Sequence, residues 1–308
     1  MSSFIRFRAA SVMIAAAIVT TIAACNDDSS PSPSGPNDVV TSPDGTARQY
    51  GASVALGSGQ ARTYIVFDNT QLTRAIELGV ALTPGALEGL PAPMNMPTGG
   101  ADEHEHADSH EYILPLPQRN PTPFKLVELN WNPQGHEIPG IYTIPHFDFH
   151  FYTISKVERD QIGPTDAQYQ QKADNLPPAA LVPQFYSTLT PPGASTPSVP
   201  KMGVHWIDVR SPEIQALLGH PELAKPFTTT FIYGSWNGKF TFLEPMVTRD
   251  FILGRRMATS AAQRDSVISI PMAAQVSAAG TYPAAYRVTW DATANEYRIA
   301  LTQLVQKN

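Results

Sequence analysis

The chain has 308 residues, with 21 Lys and Arg against 27 Asp and Glu, 29 Pro and one Cys. A net charge of −6 speaks against a nucleic-acid binder, which needs a basic face to neutralise phosphates. One Cys excludes a disulfide scaffold or a Cys-rich zinc module, and 42% hydrophobic residues exclude a disordered chain.

The first 25 residues read as a targeting signal. Arg6 and Arg8 form a positive start, and residues 9–24 are an uncharged, mostly apolar run of 16 residues. A membrane span needs about 20. The run ends in Ile22-Ala23-Ala24-Cys25, which resembles the bacterial lipobox. That resemblance implies a diacylglycerol on the Cys25 sulfur, cleavage before Cys25 and acylation of the new amino terminus. Several acyl chains hold a protein firmly to a bilayer, where one does not. Asn26, in place of Asp, favours the outer membrane by the same resemblance. Cleavage removes two Arg and no acid, leaving a net charge of −8. The expected organisation is a signal peptide at 1–24, a lipidated Cys and flexible Ser/Pro/Asp/Gly tether at 25–45, and a β-rich domain at 46–308. That domain is large enough for one core or two packed subdomains. The expected location is the bacterial cell envelope, facing periplasm or exterior, with the lipid bilayer as partner through acylated Cys25.

Beyond the tether, low charge and frequent Pro suit strands and loops. Residues 60–67 (QARTYIVF) and 75–82 (AIELGVAL) are β-type runs, and 86–90 can form a helical turn. Residues 91–110 have no apolar period and read as a long loop, carrying His104, His106 and His110 in an acidic tract that can bind metal loosely. Strands are predicted at 124–131 and 141–154. Ser155 with Glu158 forms a capping box for a short helix to 162, and 166–173 is a second helix. Residues 176–200 hold seven Pro and read as an irregular crossing, since Pro removes ladder donors. A strand at 202–208 and a short helix from Ser211-Pro212 follow. Asn237-Gly238 between apolar alternations predicts a hairpin joining 227–234 to 239–243. Strands at 267–271, 286–290 and 297–304 complete the chain. The fold class expected is mainly β, an antiparallel barrel or sandwich with short helical inserts and long Pro-rich loops.

One strand carries most of the chemistry. In Ile-Pro-His-Phe-Asp-Phe-His-Phe-Tyr-Thr (144–153), side chains alternate faces. Phe147, Phe149 and Phe151 would anchor one face in the core, while His146, Asp148, His150 and Tyr152 share the other. Alternate residues lie about 6–7 Å apart. Two imidazoles so placed can meet an ion only if further ligands come from elsewhere, because zinc sites take three or four protein ligands. His205, in MGVHWID, and Glu244, ending the aromatic face of the hairpin, are the candidates. A carboxylate buried there needs a cation or a donor cluster. The ligand set is therefore His146, His150, His205 and Glu244, with Asp148 and Tyr152 lining the pocket or orienting an imidazole. Such a set suits zinc, iron, manganese or copper better than calcium. A hydrogen-bonded polar cluster without metal is the alternative reading. His136 and His220 lie beside Gly or Pro in turn-like contexts and receive no role.

The stretches PHFDFHFY (145–152), MGVHWID (202–208), YGSWNGKFTFLEPMVT (233–248) and IELGVALTPGALEGLP (76–91) together resemble a bacterial family of secreted or lipid-anchored proteins with a domain of unknown function. The resemblance spans about residues 46–260 and implies one β-rich domain in the envelope, with no reaction attached. His146-Phe147-Asp148 after Gly140 also looks like part of a cupin motif, and HFDFHFY with VHW like the zinc strands of α-type carbonic anhydrases. The spacings differ, so both serve only as analogies of site geometry. No nucleophile elbow, His-Glu-x-x-His, phosphate loop or dinucleotide fingerprint is present. Three functions follow: an anchored envelope protein with a metal or small-molecule pocket, a metal-dependent hydrolase or oxygenase using the His/His/His/Glu set, or a structural module, including a homo-oligomer, with no ligand.

Overall fold

Alternating side chains and tight turns divide the chain into strands that are short at its start and long at its end. They are β1 (Val39–Thr41), β2 (Ala47–Tyr50), β3 (Val54–Leu56), β4 (Gly59–Phe67), β5 (Ala75–Leu82), β6 (His110–Leu114), β7 (Leu126–Asn132) and β8 (His146–Tyr152). The second half adds β9 (Tyr186–Ser187), β10 (Val204–Asp208), β11 (Thr229–Trp236), β12 (Lys239–Thr248), β13 (Asp265–Ser269), β14 (Gly280–Asp291) and β15 (Glu296–Lys307). Among the described residues, four short α-helices interrupt them: α1 (Lys156–Asp160), α2 (Tyr169–Asp174), α3 (Arg249–Met257) and α4 (Ala261–Arg264). The structure, a computed structural model, describes residues 37–93 and 109–308 together with residues 1 and 35.

The strands form two antiparallel sheets. One runs β1-β2-β4-β5-β15-β14-β13, with β3 alongside β4; the other runs β6-β7-β8-β12-β11-β10-β9. Neither path returns to its first strand, so the expected barrel is not closed among the described residues. Local chemistry explains the turns. Asn237 (φ 47°) and Gly238 (φ 81°) supply the two left-handed residues of a two-residue hairpin between β11 and β12. The β14–β15 turn is held by Asp291, whose carboxylate accepts from the backbone N–H groups of Thr293 and Ala294. The Ser155 capping box forms as expected.

A single buried cluster joins Ile65, Leu78, Val80, Ile299 and Leu301 of the first sheet to Leu129, Phe147, Phe149, Phe151, Leu243 and Val247 of the second. Each fully buried Phe there contributes about 2–3 kcal/mol of transfer free energy. The far face of the second sheet is covered too. Tyr142, Ile214 and Phe227 pack on Ile232 and Met246, while Val199 and Met202 pack on Leu126, Tyr152 and Phe242. β7 and β8 are in consequence buried on both sides along their whole length. The described residues from 37 onward belong to one compact unit.

Several expectations shift. β1 lies inside the stretch read as tether, and Asn37 donates its backbone N–H to Tyr50, so ordered structure begins before residue 46. His110 is the first residue of β6 instead of the end of a loop. The helix expected after Ser211 is only one 3-10 turn at Pro212–Ile214. Helix α3 was not expected, and it runs through Gly254 without a break. Thr248 caps it by accepting from the Phe251 N–H.

Candidate metal centre

β8 lies between β7 and β12, and its register sets what faces its polar side. Asn132, Asn130 and Glu128 of β7 oppose His146, Asp148 and His150. Thr248, Met246 and Phe242 of β12 oppose His146, Asp148 and Tyr152. Period-2 alternation thus places Glu244 level with His150. The same alternation sends Phe147, Phe149 and Phe151 into the core, as the sequence implies.

The far strand arrives through a close approach of aromatic and backbone. His205 of β10 pairs with Gly234 of β11, which pairs with Phe242 of β12. A Cβ on Gly234 would fall 1.9 Å from the Phe242 ring, so only glycine lets that ring lie across β11. The ring then stands edge-on to both imidazoles, with centroids 5.0 Å from His150 and 5.4 Å from His205. Held this way, His150 Nε2 lies 3.5 Å from Glu244 Oε1 and His205 Nε2 lies 3.8 Å from Glu244 Oε2. Three ligand atoms from three strands lie within 4.8 Å of one another. His150 is fully buried and neither of its ring nitrogens has a hydrogen-bond partner; Glu244, 1% exposed, leaves Oε2 without one.

His146 does not join this group. Its Nε2 lies 3.1 Å from Asp148 Oδ1 and 3.0 Å from His136 Nε2, and His136 Nε2 lies 3.3 Å from Asp148 Oδ2. The expected four-ligand set is thereby split. His150, His205 and Glu244 form one triad, and His146 joins Asp148 and His136 in a second. Asp148 is a direct member of that second triad instead of an orienting group for the first. Tyr152 stays beside the first triad, its ring stacked on His150 at 5.6 Å. His136 escaped the sequence reading because its loop has no period. The available signal was its position ten residues before His146, on the connection leading into β8. Cys25, His104 and His106 lie outside the described residues. His110 shares no triad, its Nε2 meeting the Ala92 carbonyl at 3.0 Å.

Electrostatics follow from burial. Loss of water is the largest influence on His150 and drives its pKa down to about 3; the same cause takes His205 down to about 4. Both imidazoles are therefore neutral at pH 7 and offer lone pairs. Burial, reinforced by the negative charges of Asp148 and Glu128, pushes Glu244 well above its ordinary value. Asp148 goes the other way. Burial raises it, but the charges and hydrogen bonds of His146 and His136 outweigh that and hold it well below the carboxylate range.

Neither Asp148 nor Glu244 meets a Lys or Arg among the described residues. The cations on this face stand apart: Arg159, itself fully buried, pairs with Glu128 and, at 2.7 Å, with Glu111. A cavity of about 680 Å³ lies near the β11–β12 turn, walled by Lys125, Trp236, Phe240 and Met272 among others, and it contains no triad residue. His146, Asp148, His150 and Glu244 are buried, while the His205 side chain is 21% exposed. Compared with known proteins, the chain matches no family model, no curated protein and no solved structure.

Proposed function

We propose that this protein is a metal-binding protein of the bacterial cell envelope, anchored through acylated Cys25, with its two sheets stacked as a sandwich. The observation that carries the metal reading is the pair His150 and Glu244. Both are buried with ligand atoms lacking hydrogen-bond partners, and both face a third ligand, His205, from another strand. Buried polar groups are otherwise almost always satisfied. Ligand atoms around a tetrahedral ion with bonds near 2.1 Å sit about 3.4 Å apart, close to the 3.5 and 3.8 Å seen here. Two imidazoles and a carboxylate suit zinc or ferrous iron.

Three protein ligands leave a fourth position for water or a small-molecule ligand, and His205, whose side chain is 21% exposed, gives that position a path to solvent. Turnover there is the second reading, since a metal-bound water is a hydrolytic nucleophile.

Metal analysis of the full chain, purified in detergent without a His tag, should show bound transition metal that His150→Ala and Glu244→Ala each reduce. Equal metal in all three proteins would remove this reading. For the anchor, Cys25→Ser should move the protein from the membrane fraction to the soluble fraction. A variant that stays in the membrane fraction would refute lipidation at Cys25.

A further inference from the structure

We infer that His136, His146 and Asp148 form a second, separate divalent-metal site, making this a two-ion protein. The inference goes beyond the first site and uses none of its ligands.

The orientation of the imidazoles carries it. His136 Nδ1 lies 2.7 Å from the Glu137 carbonyl, and His146 Nδ1 lies 2.7 Å from the Ile144 carbonyl. A carbonyl only accepts, so each Nδ1 must carry its proton and donate. Each Nε2 is then the atom turned into the cluster. The two Nε2 atoms face each other at 3.0 Å, with the Asp148 carboxylate 3.1 and 3.3 Å away. Two imidazole nitrogens and a carboxylate, with the buried Asp148 Oδ1 lacking a hydrogen-bond partner, thus converge on one point that fits a divalent cation. Imidazoles that donate one nitrogen to a backbone carbonyl and aim the other inward are the usual arrangement of metal-bound histidine.

The carboxylate is oriented as well. Asn132 Nδ2 donates to Asp148 Oδ2 at 2.6 Å from the neighbouring strand. The loop before β8 is clamped so that His136 reaches the site. Gly135 has φ 73°, and a Cβ there would lie 1.9 Å from the Tyr142 carbonyl oxygen, so the chain passes where no side chain fits. Phe227 closes the group on one side, its ring edge-on to His146 at 5.4 Å. His146 and Asp148 are fully buried, as metal ligands of a closed site are.

Each triad has its own carboxylate and none is shared, so the ions bind separately. Asp148 and His150 are alternate residues of one strand, about 6–7 Å apart. That exceeds the roughly 3.5–4 Å of a bridged two-metal centre. A shared proton could take the place of the ion, and the experiment separates the two.

The test is zinc titration of the full chain in detergent, stripped with chelator, followed by calorimetry and by metal content after dialysis. Two ions per chain are expected. His136→Ala, on a loop and partly exposed, should leave one ion, and His150→Ala should also leave one but of different affinity. Asp148→Asn keeps the shape of the side chain and should likewise lose one ion. Asn132→Ala should keep two while weakening one of them 10–100-fold. Circular dichroism establishes that each variant folds. Zinc content unchanged by both His136→Ala and Asp148→Asn would overturn this site and leave the first standing. One ion lost with His136→Ala and none with His150→Ala would support this site and remove the first.

Discussion

The two sheets each carry buried charge on the face turned away from the shared core, and they settle it in opposite ways. On the first sheet, Arg62 meets Glu296 at 2.6 Å, Arg298 meets the same carboxylate at 3.0 Å, and buried Glu77 is met by the partly exposed Arg287 at 3.3 Å. Tyr50 and Tyr64 add hydroxyl bonds to Glu296 and Glu77. Every one of these acids has a fixed cation or donor. On the second sheet, Asp148 and Glu244 meet imidazoles and no Lys or Arg, with Asn132 donating to Asp148, and His150 and His205 beside Glu244 are driven neutral by burial. The same alternating pattern thus builds a structural network in one place and an incomplete shell in the other. What is missing from the second is positive charge.

Breaking the complete network should have the largest effect. Glu296→Ala removes the buried carboxylate that both Arg62 and Arg298 meet and should cost about 3–5 kcal/mol, read from urea unfolding. The incomplete shell should behave otherwise. In metal-free protein, Glu244→Leu removes a buried carboxyl that lacks a partner for Oε2, so stability should change by less than about 1 kcal/mol or rise. Zinc at a thousand times its dissociation constant should then stabilise the parent by about 4 kcal/mol and the variant by less, read from thermal melts. Equal stabilisation of both would show that Glu244 is no ligand.

The smallest effect sharpens the comparison through pH. His150 in the folded protein has a pKa lowered from 6.5 to about 3, so its contribution is present above pH 6.5 and is lost as pH falls towards 3. Glu244 is raised above 4.5, so its contribution is present below pH 4.5 and is lost as pH rises through its folded value. Asp291 of the first sheet is lowered: burial opposes this, but the Arg298 charge prevails. It contributes above pH 3.8 and loses that contribution only in stronger acid. Between pH 6.5 and 4.5, His150 and His205 therefore destabilise metal-free protein as pH falls while Glu244 opposes them, and His150→Phe should remove the His150 part of that pH dependence. Urea unfolding across that range checks it, and an unchanged pH dependence in the variant would assign the titration elsewhere.

How much was legible varied with how local the cause is. The hairpin at Asn237-Gly238, the capping box at Ser155 and the two faces of β8 all follow from short-range rules, and all are present. The meeting of His150 with His205 and Glu244 was also foreseeable. Both partners lie on apolar strands where a buried polar side chain demands a reason. The division of the ligands was not. His146 and His150 share one strand face, and nothing in the spacing tells whether they serve one ion or two.

By itself the sequence determined which residues turn inward. Period-2 alternation in β8 separates three Phe from two His and an Asp, whatever the strand packs against. It also determined the chemistry available, since neutral imidazole and carboxylate are the only strong ligands on that face. Tertiary structure alone decided the partnerships. His136 comes to His146 because a loop is clamped at Gly135, and His205 comes to Glu244 because Gly234 lets the Phe242 ring lie between strands. Those contacts join residues ten to forty positions apart, and closing such loops depends on packing that no local pattern encodes.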